Sequence, residues 1–181
     1  MTCGGSLING NWVITASHCV ANNPILVTIE FGRHNLRALE AYTKQKRTAK
    51  PIFRHPTYQH KDSISSLKDL DGDIALIKLN APVAIDSFVR PTCLTAANYS
   101  FNELNLCTIS GYTDACYDDS GGPLSCHSRS DSVLSRYSNR WHLAGVVSGG
   151  RGCGQRYYPS IYANMTAAPI CRWLSTILEN N

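Results

Sequence analysis

The sequence predicts an all-β fold with one C-terminal helix. Three observations carry this reading: many short apolar runs, turns rich in Gly, Pro and Asn between them, and helical periodicity confined to the tail. At 181 residues, 43% hydrophobic and 17% charged, the chain can bury a core and is not of the disordered class.

The elements follow in order. Cys3 to Ile8 and Trp12 to Ala16 read as two strands joined at Asn9-Gly10-Asn11, because Asn-Gly between apolar runs favours a hairpin. Ile25 to Phe31 alternates as a strand should, and Lys50 to Phe53 is a second candidate, with a polar loop between them. The basic cluster from Lys44 to Lys50 lacks interleaved aromatics and reads as a solvated loop face. Asp71-Gly72-Asp73 then leads into the apolar strand from Ile74 to Leu79. Residues 80–106 form a connector, with Pro82 and Pro91 and a polar run after Cys93. Cys107 to Gly111, Trp141 to Ser148 and Ser160 to Ala163 are further strands. From Ala167 to Leu178, Ile170, Trp173, Leu174, Ile177 and Leu178 share one helical face.

Composition narrows the function classes. A net charge of +4 is mild and spread along the chain, which argues against nucleic acid as a partner. No apolar run is long enough for a membrane-spanning helix. Eight cysteines without a Cys-x-x-Cys pair point to disulfides and an oxidising compartment rather than a zinc module. Two Asn-x-Ser/Thr triplets, at Asn98 and Asn164, are compatible with secretion. No secretory leader precedes Cys3, so a leader has been removed or the chain is an incomplete copy of a longer secreted protein.

Three stretches carry candidate chemistry. Asp119-Ser120-Gly121-Gly122-Pro123 needs a sharp, open turn that lifts one hydroxyl clear of the backbone. Taken alone it is either a nucleophile turn or an ordinary polar loop. Ser17-His18-Cys19 sets a histidine at the end of a strand, as a base or as a structural residue. Asp73 stands at the mouth of an apolar strand, where a buried carboxylate needs a partner. Orienting a histidine would supply one; a turn or cap aspartate is the plainer alternative. A metal site from His18, Cys19 and Asp73 is a third reading.

The order His18, Asp73, Ser120, with Cys3-Gly4-Gly5-Ser6-Leu7-Ile8, Arg54-His55-Pro56, Val146-Val147-Ser148 and Pro159-Ser160-Ile161-Tyr162, resembles the trypsin and chymotrypsin family along nearly the whole chain. The resemblance implies two antiparallel six-stranded β-barrels, both incomplete here, and a C-terminal helix. Residues 1–90 would form the N-terminal barrel without its first strand, 91–106 the connector, and 107–181 the C-terminal barrel lacking a multi-strand segment. It further implies a serine endopeptidase acting through an acyl-enzyme, with Ser120 as nucleophile, His18 as general base and Asp73 orienting the imidazole. Asp114 would lie at the bottom of the specificity pocket and select Arg or Lys, with Ser148, Gly150 and Ser160 also lining the substrate site. The backbone N–H groups of Asp118 and Ser120 would form the oxyanion hole. The implied bridges are Cys3–Cys19, Cys107–Cys126 and Cys116–Cys153, leaving Cys93 and Cys171 to pair with each other or, for Cys93, with a propeptide. Expected partners are peptide or protein substrates and protein protease inhibitors, outside the cell, without a cofactor, nucleic acid or membrane.

The departures from the family pattern are equally specific. The family's mature domain begins well before Cys3, and its new amine pairs with the aspartate here numbered Asp119; without that amine the oxyanion hole is expected to stay collapsed. Tyr112-Thr113-Asp114 runs straight from a strand into the pocket where the family keeps several dozen residues, so unpaired sheet edges are expected. Asp118 occupies a glycine position, bringing negative charge toward a developing oxyanion. Gly149 replaces a cleft tryptophan and Ser160 a pocket glycine. The segment from Arg33 to Thr43 resembles a calcium loop, but Arg33 and Thr43 stand where carboxylates would bind, so no calcium is expected. Asp118 and the missing activation terminus favour, as the alternative function, a catalytically impaired homologue acting as a binding or regulatory module.

Overall fold

The computed structural model describes residues 2–20, 26–35, 42–59, 70–101, 106–111, 119–128, 140–150, 157 and 159–181. Among them are ten strands in two sheets and a single α-helix. The first sheet has the order β1-β2-β5-β4-β3, built from β1 (Ser6–Asn9), β2 (Trp12–Thr15), β3 (Thr28–Phe31), β4 (Gln45–Arg54) and β5 (Ala75–Leu79). The second runs β10-β9-β8-β7, from β7 (Leu106–Ile109), β8 (Pro123–Ser128), β9 (Arg140–Gly149) and β10 (Ile161–Asn164). A short β6 (Cys93–Leu94) joins this sheet through β9 in parallel register, the exception to the antiparallel pairing expected throughout. The helix α1 spans Ala168–Asn180.

Residue alternation explains how the first sheet is held. Side chains point to opposite faces at successive positions of a strand. On β2, Trp12 and Ile14 enter one apolar cluster while Val13 enters a second. On β5, Leu76 joins the first cluster, and Ala75, Ile77 and Leu79 join the second. Both central strands are therefore buried on two faces, which their near-continuous apolar sequence anticipates. The sheet bends at β4, which pairs with β3 over Gln45–Thr48 and with β5 over Ala49–Arg54, with a register shift after Ala49. The basic cluster read as a loop face thus lies on a strand. Its lysines Lys46 and Lys50 are exposed on that strand, whereas Ala49 between them is buried.

The cluster around Ile14 and Leu76 also holds the molecule together. It takes in Leu143 and Val146 from β9, Met165, and Ile170 and Leu174 from α1. Trp173, Ile177 and Leu178 pack against it, so the apolar stripe of α1 faces the junction of the two sheets. The edge of the β8–β9 sheet is less protected. All four residues of β7 are exposed, including Leu106 at 64% and Ile109 at 39%.

Two disulfides are formed among the described residues, Cys3–Cys19 and Cys107–Cys126. Cys116 and Cys153 lie outside the described residues. Cys93 and Cys171 are free thiols, so of the two alternatives left open for them the mutual bridge is not formed. The Cys171 thiol instead points to the Met165 carbonyl, 3.2 Å away, and burial pushes its pKa up.

Candidate active site

Strand β2 delivers His18. It ends at Thr15, and Ser17–Cys19 then forms one 3₁₀ turn at the edge of the core. The buried Ser17 hydroxyl donates to the Ile74 carbonyl at 2.7 Å, pinning this turn to the segment that enters β5. Cys19 is bridged to Cys3, which fixes the other end of the turn. The turn therefore has little freedom to move His18.

Asp73 lies one residue from the same anchor and is fully buried, at 0% exposure. Its Oδ1 accepts the His18 backbone N–H at 3.0 Å, and its Oδ2 accepts from His18 Nδ1 at 2.7 Å. The Ser148 hydroxyl donates to the same Oδ2 at 2.5 Å. Burial pushes the Asp73 pKa up, but the hydrogen bonds from His18 and Ser148 and the nearby imidazole more than offset it. The carboxyl is held below its ordinary value and stays ionised. An ionised carboxylate only accepts, so Nδ1 carries a proton, and Nε2 faces the bridged Cys19 sulfur at 3.6 Å. The His18 side chain keeps 26% of its surface exposed, enough for a ligand to reach it.

Ser120 is placed by a turn of a different kind. Gly122 N–H donates to the Asp119 carbonyl at 2.9 Å, closing a four-residue turn with Ser120 second and Gly121 third. Gly121 has φ +80°, and a Cβ there would run into Thr15 Oγ1 and the Gly4 carbonyl. Glycine is therefore required twice over at this position. The turn is tied to both halves of the molecule. Gly4 N–H donates to the Ser120 carbonyl at 2.7 Å, while Gly121 N–H donates to the Val147 carbonyl at 2.7 Å. Ser120 is partly exposed, and its carbonyl lies 3.5 Å from the Cys19 sulfur, next in the chain to His18.

Asp119 is buried, with its carboxylate packed on the backbone of Gly111 so closely that a Cβ there would overlap it. Gly150 and Ser160 are exposed at the ends of β9 and β10. Asp114 and Asp118 lie outside the described residues. Ser148, read from the resemblance as a substrate-lining residue, is buried and spends its hydroxyl on Asp73. The signal that could have revealed this was weak: a serine at the end of an apolar strand, with no sequence proximity to Asp73. On β3, the last strand in the order of the first sheet, Glu30 is paired with Lys44 at 2.7 Å and with Arg33, and these partners lower its pKa. Its carboxylate is occupied by two cations of the chain itself.

The structure thus joins a strand-end histidine to a buried aspartate and sets the backbone of a serine on a glycine turn against the neighbouring Cys19. Comparison with known families agrees: the trypsin family model matches residues 1–114 and 112–174. The chain belongs to the trypsin family, and its two sheets and C-terminal helix are the trypsin fold. Trypsin-1 of Salmo salar is 28% identical over 208 residues, covering 90% of this chain and 76% of that protein. Ovochymase of Halocynthia roretzi is 31% identical over 91% of this chain and 13% of its own length. Transmembrane protease serine 11G of Rattus norvegicus is 30% identical over 91% of this chain and 47% of its length. The family match breaks at 112–114, and the 208-residue alignment exceeds the 181 residues of the chain, as a shortened member would show.

Proposed function

We propose that this chain is a serine endopeptidase that cleaves after Arg or Lys. The observation that carries the reading is the buried, ionised Asp73, bonded at once to His18 Nδ1, the His18 backbone N–H and Ser148. Such an arrangement holds one tautomer of the imidazole and stabilises its protonated form. In the proposed reaction Ser120 Oγ attacks the scissile carbonyl carbon and its proton passes to His18 Nε2. The tetrahedral intermediate then expels the amine, which takes that proton, leaving Ser120 acylated. Water deacylates the enzyme by the same proton route. Asp73 remains ionised throughout.

By the resemblance Asp114 would lie at the bottom of the specificity pocket, where a partly desolvated carboxylate would call for a cationic partner. Ser148, Gly150 and Ser160 would border the substrate, Ser148 through its backbone since its hydroxyl is committed. The oxyanion would meet the N–H groups of Asp118 and Ser120. Partners are peptide or protein substrates and protein protease inhibitors, and the disulfides suit an extracellular setting. Among the described residues no helix is long and apolar enough to cross a membrane.

A second reading has its own support. By the resemblance Asp118 stands at a sequence position the family reserves for glycine, where a carboxylate would oppose the developing negative charge. Loss of one oxyanion donor alone costs roughly 10²–10³ in kcat. On that reading the chain keeps the protease shape as a binding or regulatory module.

Hydrolysis of matched amide substrates with Arg, Lys or Leu at the cleavage site separates these readings. The endopeptidase reading predicts turnover of the Arg and Lys substrates, abolished by Ser120→Ala and raised by Asp118→Gly. A folded chain that stays inert with Asp118→Gly would favour the binding module.

A further inference from the structure

We infer that Asn98 and Asn164 are a pair of N-glycosylation sites occupying one patch of the surface. The inference rests on the extracellular reading above and adds a modification of stated chemistry. Both residues belong to Asn-x-Ser/Thr triplets, Asn98-Tyr99-Ser100 and Asn164-Met165-Thr166, and both are exposed.

Local geometry leaves each amide ready to accept a sugar. Asn164 ends β10, and its Oδ1 accepts both the Thr166 N–H and the Thr166 hydroxyl at 2.9 Å. This Asx turn uses the oxygen of the side chain and leaves Nδ2 without a hydrogen bond among the described residues. Asn98 sits at φ +60° in a turn closed by Tyr99 N–H on the Ala96 carbonyl at 3.2 Å. Asparagine tolerates that left-handed conformation better than most side chains, which accounts for its backbone role. Among the described residues its side-chain amide makes no hydrogen bond.

The two triplets touch. Asn98 N–H donates to the carbonyl of Thr166, the third residue of the other triplet, at 2.8 Å. Their chain neighbours Ala96, Ala97 and Met165 line one groove of about 530 Å³ beside α1, together with Leu94, Leu174 and Leu178. Sugars on both asparagines would stand at the rim of that apolar groove.

The donor is a lipid-diphosphate-linked oligosaccharide of the secretory lumen. The Asn Nδ2–C1 bond forms, the C1–O bond to the diphosphate breaks, one amide proton is lost and the lipid diphosphate departs. No oxidation or reduction is involved.

The test is to express the full chain behind a cleavable heterologous leader in cultured secretory cells, then treat it with peptide N-glycosidase. Two mobility steps are expected, with enzymatic release leaving aspartate at positions 98 and 164 by mass spectrometry. Asn98→Gln and Asn164→Gln should each remove one step. Thr166→Ala should also remove the Asn164 step while leaving that asparagine in place, and it guards against misfolding by Asn164→Gln. A chain that enters the lumen, shown by the Cys3–Cys19 bridge, yet carries no sugar would overturn the inference. A single occupied asparagine would overturn the pairing.

Discussion

The two sheets of this protein contribute unequally to one site. Strand β2 is buried at every position, and β5 at all but one, so the turn bearing His18 and the segment bearing Asp73 grow out of packed strands. In the other sheet, Ser120 precedes β8, whose neighbour β7 is exposed along its whole length. One half of the site is over-determined by its core, whereas the other is held by a tight turn and a few backbone hydrogen bonds. Among the described residues, the histidine–aspartate pair sits in a rigid setting while the sheet behind the serine shows an exposed edge strand.

The largest expected effect contrasts the two cores directly. Ile14 is fully buried at the junction of the sheets, so Ile14→Ala should lower stability by about 2–5 kcal/mol. Ile109→Ala, at the exposed edge, should change it by no more than about 0.5 kcal/mol. Denaturant unfolding of both variants measures the difference. Similar losses would mean that the β7 edge is covered in solution.

A smaller effect is expected at Ser148→Ala. Removing a hydrogen bond to a charged, buried carboxylate costs roughly 1.5–3 kcal/mol, and the Asp73 pKa should rise. The same variant should weaken the hold on His18 without unmaking the core. Thermal unfolding with a pH series would register both changes, and an unchanged acid limb would contradict the assigned partner.

Acid sensitivity is the third comparison, and its sign is fixed by two groups of the well-packed half. Burial lowers the pKa of His55 below its ordinary 6.5, although Asp71 opposes the shift. Its unfolded form therefore binds protons first, and its contribution to stability is lost as pH falls below about 6.5. Asp73 is also lowered, from 3.8, so its contribution is full above that value and is lost as pH falls through the folded pKa. Replacing His55 with Gln should flatten the upper of these two windows. Trp173, which packs edge-on against the His55 ring at 5.2 Å, offers a fluorescence readout.

Much of this arrangement was legible in the sequence where the local signal was strong. Asn9-Gly10-Asn11 marked the first hairpin, and the spacing of Ile170, Trp173, Leu174, Ile177 and Leu178 marked the buried face of α1. Serine, histidine and aspartate stood out because each adjoined a distinctive turn or strand. β8 was missed because Pro123 and the preceding glycines read as punctuation, whereas only the turn uses them and the strand pairs from Pro123 onward. The strand character of the Lys44 to Lys50 region was hidden by its charge, since outward side chains of a strand need not be apolar. Ser148 could not be linked to Asp73 because 75 residues separate them and only the packing of the sheets brings them together.

The measurement that tests the central claim most directly is labelling of the purified, folded chain with a fluorophosphonate probe. If the Asp73–His18 pair activates Ser120, the parent will be labelled, Ser120→Ala will not, and Asp73→Asn will react about 10⁴-fold more slowly. A parent chain that unfolds cooperatively yet takes up no label, or one labelled equally with Asp73→Asn, would contradict it.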